Sequence, residues 1–266
     1  MTSLNLFGNT SDRGPVTAVG MRGIAEAIQH GQIGNCLEKL VVSRNTSLGD
    51  AGVALIADAL PAVPALVHLD ISNTRCGDAG MIAIAAALGK AAVVGGRATA
   101  VGANLSELVL YGNDSVRGTS GWSALAGVLP VLRGLQRLDC NRCSGMRCEG
   151  ASAIAAALPR CPALESLSLA RCAIGDMGAG ALAAAIGASM TARAGSAKLN
   201  LCEVDASWNR ISMGGEGIRA VLLAEEGQVV RGASCERGKL LAGAGAGLVV
   251  EQTPGGFTMS SATTCT

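Results

Sequence analysis

The chain has 266 residues, a formal net charge of +1, 49% hydrophobic residues and only 2% aromatics. A charge so near zero excludes any global attraction to nucleic acid or to an anionic membrane surface. Alanine-rich apolarity with few rings favours a core of thin aliphatic layers, and the length fits one large domain or two ordinary ones.

The predicted elements, taken in chain order, all obey one frame. Met1, Leu4, Leu6 and Asn9 open the spacing Leu-x-x-Leu-x-Leu-x-x-Asn. It returns at Leu37-Leu40-Val42-Asn45, Leu66-Leu69-Ile71-Thr74 and Leu105-Leu108-Leu110-Asn113. Three further returns stand at Leu135-Leu138-Cys140-Cys143, Leu164-Leu167-Leu169-Cys172 and Leu201-Val204-Ala206-Asn209. A period of about 29 residues marks a solenoid, in which each unit stacks on the next and the array forms one body.

Each unit is predicted to start with a short strand, residues 38–43 for example, sending Leu40 and Val42 inward and Lys39, Val41 and Ser43 outward. The Asn position bonds the backbone as the chain leaves the strand. A Gly-Asp-x-Gly turn follows at 49–52, 77–80 and 175–178, whose Asp is expected to cap the helix that it opens. The helix carries apolar residues at 3–4 spacing, as in residues 53–60, and Pro61, Pro130 or Pro159 ends it. No single unit buries enough to offset the entropy of ordering itself, so neighbours must supply the rest.

Departures are Thr74, Cys143 and Cys172 at the Asn position, Gly118-Thr119-Ser120-Gly121 in the fourth unit and Arg147-Cys148-Glu149-Gly150 in the fifth. Stretches at 29–36, 89–104 and 187–198 lengthen three units; each is expected after a helix as extra helix, loop or disordered excursion. The frame covers residues 1–223 in about seven units. From 224 to 266 Gly, Ala, Ser and Thr take over, predicting a cap or a partly disordered tail. The chain starts inside the frame, which predicts either an exposed first strand edge or a longer protein.

This pattern resembles the leucine-rich repeat family, in its ribonuclease-inhibitor-like subclass with a strand and a full helix per unit. The resemblance implies an α/β solenoid, a horseshoe with a parallel sheet on the concave face and helices on the convex face.

Chemistry is sparse. Gly89-Lys90 is not a phosphate loop, because Ile84 stands where its first glycine is required. His30 and His68 are the only histidines, and no catalytic motif surrounds them. Cys140 and Cys143 with Cys148 make half of a zinc site, but the second half is missing. No metal, cofactor or catalytic residue is therefore expected. Of ten cysteines, Cys76, Cys140, Cys143, Cys172 and Cys202 fall on small buried repeat positions. With no basic and apolar leader, reduced core thiols and a cytoplasmic location are expected. The apolar stretch at 240–250 is too short and Gly-rich to span a bilayer.

The candidate site is the outward face of the strands. Lys39, His68, Glu107, Arg137, Ser166 and Glu203 form one predicted column, and Asn5, Val41, Asp70, Val109, Asp139, Ser168 and Asp205 the next. Phe7 and Tyr111 share a third column with Ser43, Ser72, Asn141, Ala170 and Ser207. Arg44, Arg142, Arg171 and Trp208 stand one residue further, at the rim. Tyr, Trp and Arg dominate interface hot spots, so the expected partner is a protein, engaged without nucleic acid or membrane. Two alternatives accompany this non-enzymatic scaffold: a sensor module of a larger receptor-type protein, or a protein like the Ran GTPase-activating proteins, whose acidic C-terminal region is absent here.

Overall fold

A computed structural model describes residues 2–9, 16–31, 33–94, 97–190, 199–201, 203–211, 239–240, 248–253 and 256–261. The first unit holds β1 (Ser3–Asn5) and α1 (Ala18–His30), the second β2 (Lys39–Val41) and α2 (Gly49–Ala59). The third holds β3 (His68–Asp70) and α3 (Asp78–Gly89), followed by a hairpin of β4 (Ala91–Val94) and β5 (Arg97–Ala100). Next come β6 (Glu107–Val109), α4 (Thr119–Val128), β7 (Arg137–Asp139), α5 (Arg147–Ala157), β8 (Ser166–Ser168), α6 (Asp176–Met190) and β9 (Glu203–Asp205). Strands β10 (Lys239–Leu240), β11 (Leu248–Thr253) and β12 (Gly256–Ser261) follow, with β12 antiparallel to β9 and to β11.

Strands β1, β2, β3, β6, β7, β8 and β9 pair in parallel, with the second Leu of each frame in register: Leu4, Leu40, Leu69, Leu108, Leu138, Leu167 and Val204. A slip of one residue would turn the buried side chains to the open face. Behind the sheet α1 packs on α2, α2 on α3 and so on to α6. The core between the layers is continuous, from Met21 to Ala206, and Trp122 of α4 is its largest side chain, with its indole N–H on the Val116 carbonyl. The fold is an α/β leucine-rich repeat solenoid, with a parallel concave sheet and convex helices.

The proline stops act as the sequence implies. Pro61, Pro130 and Pro159 each lie in a 3-10 turn directly after α2, α4 and α5. Asn45, Asn113 and Asn209 hydrogen-bond carbonyls of their own unit and of the preceding one. Where Asn is replaced, Thr74 Oγ1 donates to the Ile71 carbonyl, and the thiols of Cys143 and Cys172 reach the carbonyls of Leu110 and Cys140.

Two expectations need correction. Asp50 and Asp78 of the Gly-Asp-x-Gly turns do not cap their own helices. Asp50 accepts the N–H groups of Gly77 and Gly80 in the next unit, and Asp78 those of Arg117, Gly118 and Gly121. Stacking brings each carboxylate closer to the neighbour's free amides than to those of its own helix. The insertion at 89–104 contains an antiparallel hairpin, running from Ala91 opposite Ala100 to Val94 opposite Arg97, rather than a longer helix or an open loop. The stretch at 187–198 extends α6 to Met190, and residues 191–198 lie outside the described residues.

Candidate functional site

The outward columns are built by the register of the sheet. Lys39, His68, Glu107, Arg137, Ser166 and Glu203 are successive partners across five strand pairs. Glu107 Oε2 lies 2.7 Å from His68 Nδ1 and 3.3 Å from Arg137 Nη2, so one carboxylate ties three units together. Partial burial works against its charge, but His68 and Arg137 outweigh that and hold its carboxyl below the usual range. Ser166 Oγ reaches Glu203 Oε2 at 3.4 Å, and Lys39 is exposed.

The next column is Asn5, Val41, Asp70, Val109, Asp139, Ser168 and Asp205. Val41 is buried rather than presented. Each acid has a local task as well as a charge. Asp70, Asp139 and Asp205 accept the N–H of Ser72, Asn141 and Ser207 through Oδ1, all at 2.9 Å, and Asn5 does the same for Phe7. This side-chain turn closes the strand two residues on. Burial raises the Asp139 carboxyl above its ordinary value; the Asn141 N–H opposes this, and the charges of Asp70, Asp205 and Glu107 add to it. Among the described residues none of the three aspartates has a basic partner within ion-pair distance.

The third predicted column is only partly outward. Phe7 is 54% exposed and Tyr111 half-buried, but Ser43, Ser72, Ala170 and Ser207 are buried. The strands end two residues earlier, so strand alternation no longer governs this position and the chain is already turning.

The residue after it gives the rim its form. Gly8, Arg44, Asn73, Gly112, Arg142, Arg171 and Trp208 all have φ between +51° and +71°, in the left-handed region. The N–H groups of the first six donate to the carbonyls of Ser43, Ser72, Tyr111, Asn141, Ala170 and Ser207 in the following unit, which fixes this geometry along the array. Glycine and asparagine tolerate it, whereas other residues pay roughly 1–2 kcal/mol. Three guanidinium groups of this row lie over rings of an adjacent unit: Arg44 over Phe7 at 5.3 Å, Arg142 over Tyr111 at 5.8 Å and Arg171 over Trp208 at 4.6 Å. Between the first pair and the others, where Asn73 and Gly112 occupy the row, a cleft of about 290 Å³ opens, lined also by Arg75 and Asp114.

So the structure brings together His68, Glu107 and Arg137, aligns Asp70, Asp139 and Asp205, and pairs Tyr111 with Arg142 and Arg171 with Trp208. Phe7 meets Arg44, whereas Lys39 and Glu203 stand at the two ends of their column. The left-handed backbone escaped the sequence reading. Its signal was the alternation of Gly8, Asn73 and Gly112 with bulky residues at one frame position.

Among the described residues no group of three or more His, Cys, Asp or Glu side chains has metal-binding geometry, and no helix is long and apolar enough to cross a membrane.

With a strand and a helix returning in one register, the comparison with known families becomes specific. The family model described as a leucine-rich repeat matches residues 35–57, 64–85 and 160–183. The chain contains leucine-rich repeats. No curated protein matches it. Among solved structures, the leucine-rich repeat chain is similar to one in the Rad7 and Elc1 complex from yeast, at 14% identity and a TM-score of 0.34 over 81% of this chain and 65% of that one. It is also similar to an internalin, InlF, from Listeria monocytogenes, at 13% identity and a TM-score of 0.32 over 83% of this chain and 58% of that one. The chain thus spans less than two thirds of the length of either.

Proposed function

We propose that this leucine-rich repeat array is a protein-binding scaffold whose partner surface is the concave sheet and its rim, acting in the cytoplasm without catalysis of its own. A full helix in each of the first six units supports the ribonuclease-inhibitor-like subclass. The observation that carries the functional reading is the column of Asp70, Asp139 and Asp205. Their carboxylates face the open sheet with no basic partner among the described residues, and burial with mutual repulsion disfavours the charge on Asp139. A basic group of a partner relieves that repulsion, so binding gains what the free fold lacks. His68, Glu107 and Arg137 beside them are already linked to one another, which lowers the ordering that binding requires.

The test is selection of a displayed protein-fragment library on the immobilised full chain, followed by affinity measurement on the triple variant Asp70→Asn, Asp139→Asn, Asp205→Asn. Asparagine keeps the Oδ1 that closes each strand and removes only charge. Selected fragments should carry basic residues and lose at least tenfold in affinity. Fragments that bind both proteins equally would refute the concave site.

A further inference from the structure

Four units place a bulky residue in the left-handed rim column, and all four of those residues take part in a ring contact. Arg44 and Arg142 lie over Phe7 and Tyr111, and Arg171 lies over Trp208, which is itself in the column. The three units without such a residue use Gly8, Asn73 and Gly112, which the same backbone accepts readily. The ladder of backbone hydrogen bonds accompanies the left-handed turn in the first six units but does not demand a bulky side chain in any. Glycine or asparagine would satisfy that backbone at less cost, so the turn alone does not account for these side chains.

The structure assigns that use: the rim docks an acidic segment of a partner protein, its Asp or Glu carboxylates seated on the ring-backed guanidinium groups of Arg44, Arg142 and Arg171. The assignment rests on the scaffold reading and deepens it. All three arginines are exposed, and among the described residues none has a carboxylate partner. A ring against one face of a guanidinium restrains it while leaving its edge N–H fork open to a carboxylate in two-point contact. Trp208, 48% exposed, and the half-buried Tyr111 add apolar surface that excludes water around the charge pairs.

Spacing and charge narrow the ligand. Strands lie about 4.8 Å apart and an extended peptide advances about 3.3 Å per residue, while Arg171 leans toward the following unit and Arg142 and Arg44 toward the preceding one, so a segment crossing the strands with acids at alternate residues along about nine positions reaches all three. The cleft beside Asn73 and Gly112 lies under the intervening residues. The neighbouring column of Asp70, Asp139 and Asp205 disfavours a broad polyanion such as nucleic acid and suits a peptide whose flanks are basic.

The experiment uses the full chain and a fluorescein-labelled peptide of about nine residues with Asp at alternate positions. Controls are the same peptide with Asn at those positions and a single-stranded oligonucleotide of comparable length. Anisotropy at physiological salt should give at least tenfold tighter binding for the Asp peptide than for either control, with quenching of Trp208 emission. The double variant Arg142→Asn, Arg171→Asn should lose at least tenfold while its melting temperature holds or rises, since asparagine suits the left-handed turn. Should that variant unfold, Arg142→Lys with Arg171→Lys serves instead; it keeps the charge, loses the fork and is expected to bind several-fold more weakly. The inference is overturned by equal binding or no binding of the two peptides, by an oligonucleotide that binds as tightly, or by full affinity in the substituted chain. Selected fragments that depend on the concave aspartates but not on these arginines would overturn it while leaving the scaffold standing.

Discussion

The carboxylate of Asp78, in the third unit, accepts the backbone N–H of Gly121, in the fourth, at 3.0 Å through Oδ1 and that of Gly118 at 2.8 Å through Oδ2. One side chain thus caps the helix stacked beside its own, and cohesion between units is partly polar. Burial disfavours the charge, but the amides of Gly118, Gly121 and Arg117 and the hydroxyl of Ser120 outweigh it and hold the Asp78 carboxyl below its usual range. Asp78→Ala should cost about 1–2 kcal/mol, as loss of a helix cap does. Because the folded value is depressed, the charge contributes stability that is present above the unfolded carboxylate pKa and lost as pH falls through the folded one. Urea unfolding of both proteins at pH 7 and at pH 3 checks this: the gap should be large at the first and shrink at the second.

The same arrangement explains two glycines and separates them from a third. A Cβ at Gly121 would stand 2.8 Å from Asp78 Oδ1, and one at Gly80 2.8 Å from Asp50 Oδ1. A Cβ at Gly127, in the same helix as Gly121, would meet nothing within 4 Å. Alanine normally favours a helix interior by up to about 1 kcal/mol over glycine. Gly127→Ala should therefore raise the melting temperature, whereas Gly121→Ala should lower it by displacing the carboxylate. Equal shifts in the two variants would contradict the inter-unit cap.

The buried thiols should be silent. Burial pushes Cys76 and Cys172 up to about 12 and Cys161 to about 11, and it raises Cys140 and Cys143 well above the ordinary thiol value. A thiolate is the reactive form, so these five should resist a thiol reagent near neutral pH. Cys36 is exposed and should react at once. Denaturation without reductant should release all ten thiols of the chain. A count that stays low after denaturation would instead reveal disulfides.

Much of this was legible because the leucine frame permits one register. Once Leu40, Leu69 and Leu108 are placed inward, the columns holding Asp70 with Asp139 and Glu107 with Arg137 follow from counting. The direction of capping was not legible: Gly-Asp-x-Gly reads alike whether the carboxylate turns to its own helix or to the next. Only stacking decides, and stacking is not local. The hairpin left a signal in Gly95-Gly96 between Val94 and Arg97, but strands that are half alanine have weak intrinsic preference, which obscured it. The grouping of Tyr111, Arg142, Arg171 and Trp208 at one rim was readable. Their stacking was not, since it depends on a left-handed turn that arginine and tryptophan seldom adopt.

The column of acids links stability to function through Asp139. Asp139→Asn keeps the Oδ1 that accepts the Asn141 N–H and removes a charge disfavoured by burial and by Asp70, Asp205 and Glu107. The sign follows from a raised folded value: this group favours the fold fully below its unfolded pKa, and the benefit is lost as pH rises through the folded pKa. The variant should match the parent at low pH and exceed it at neutral pH by up to about 0.5–1 kcal/mol, the size of a like-charge contact across strands. It should also bind selected basic fragments several-fold more weakly. Denaturation curves at pH 3 and pH 7, with affinities on the same preparations, measure both effects. A variant that gains stability and loses affinity marks Asp139 as a charge kept for a partner; one that loses stability at neutral pH shows instead that the charge serves the fold.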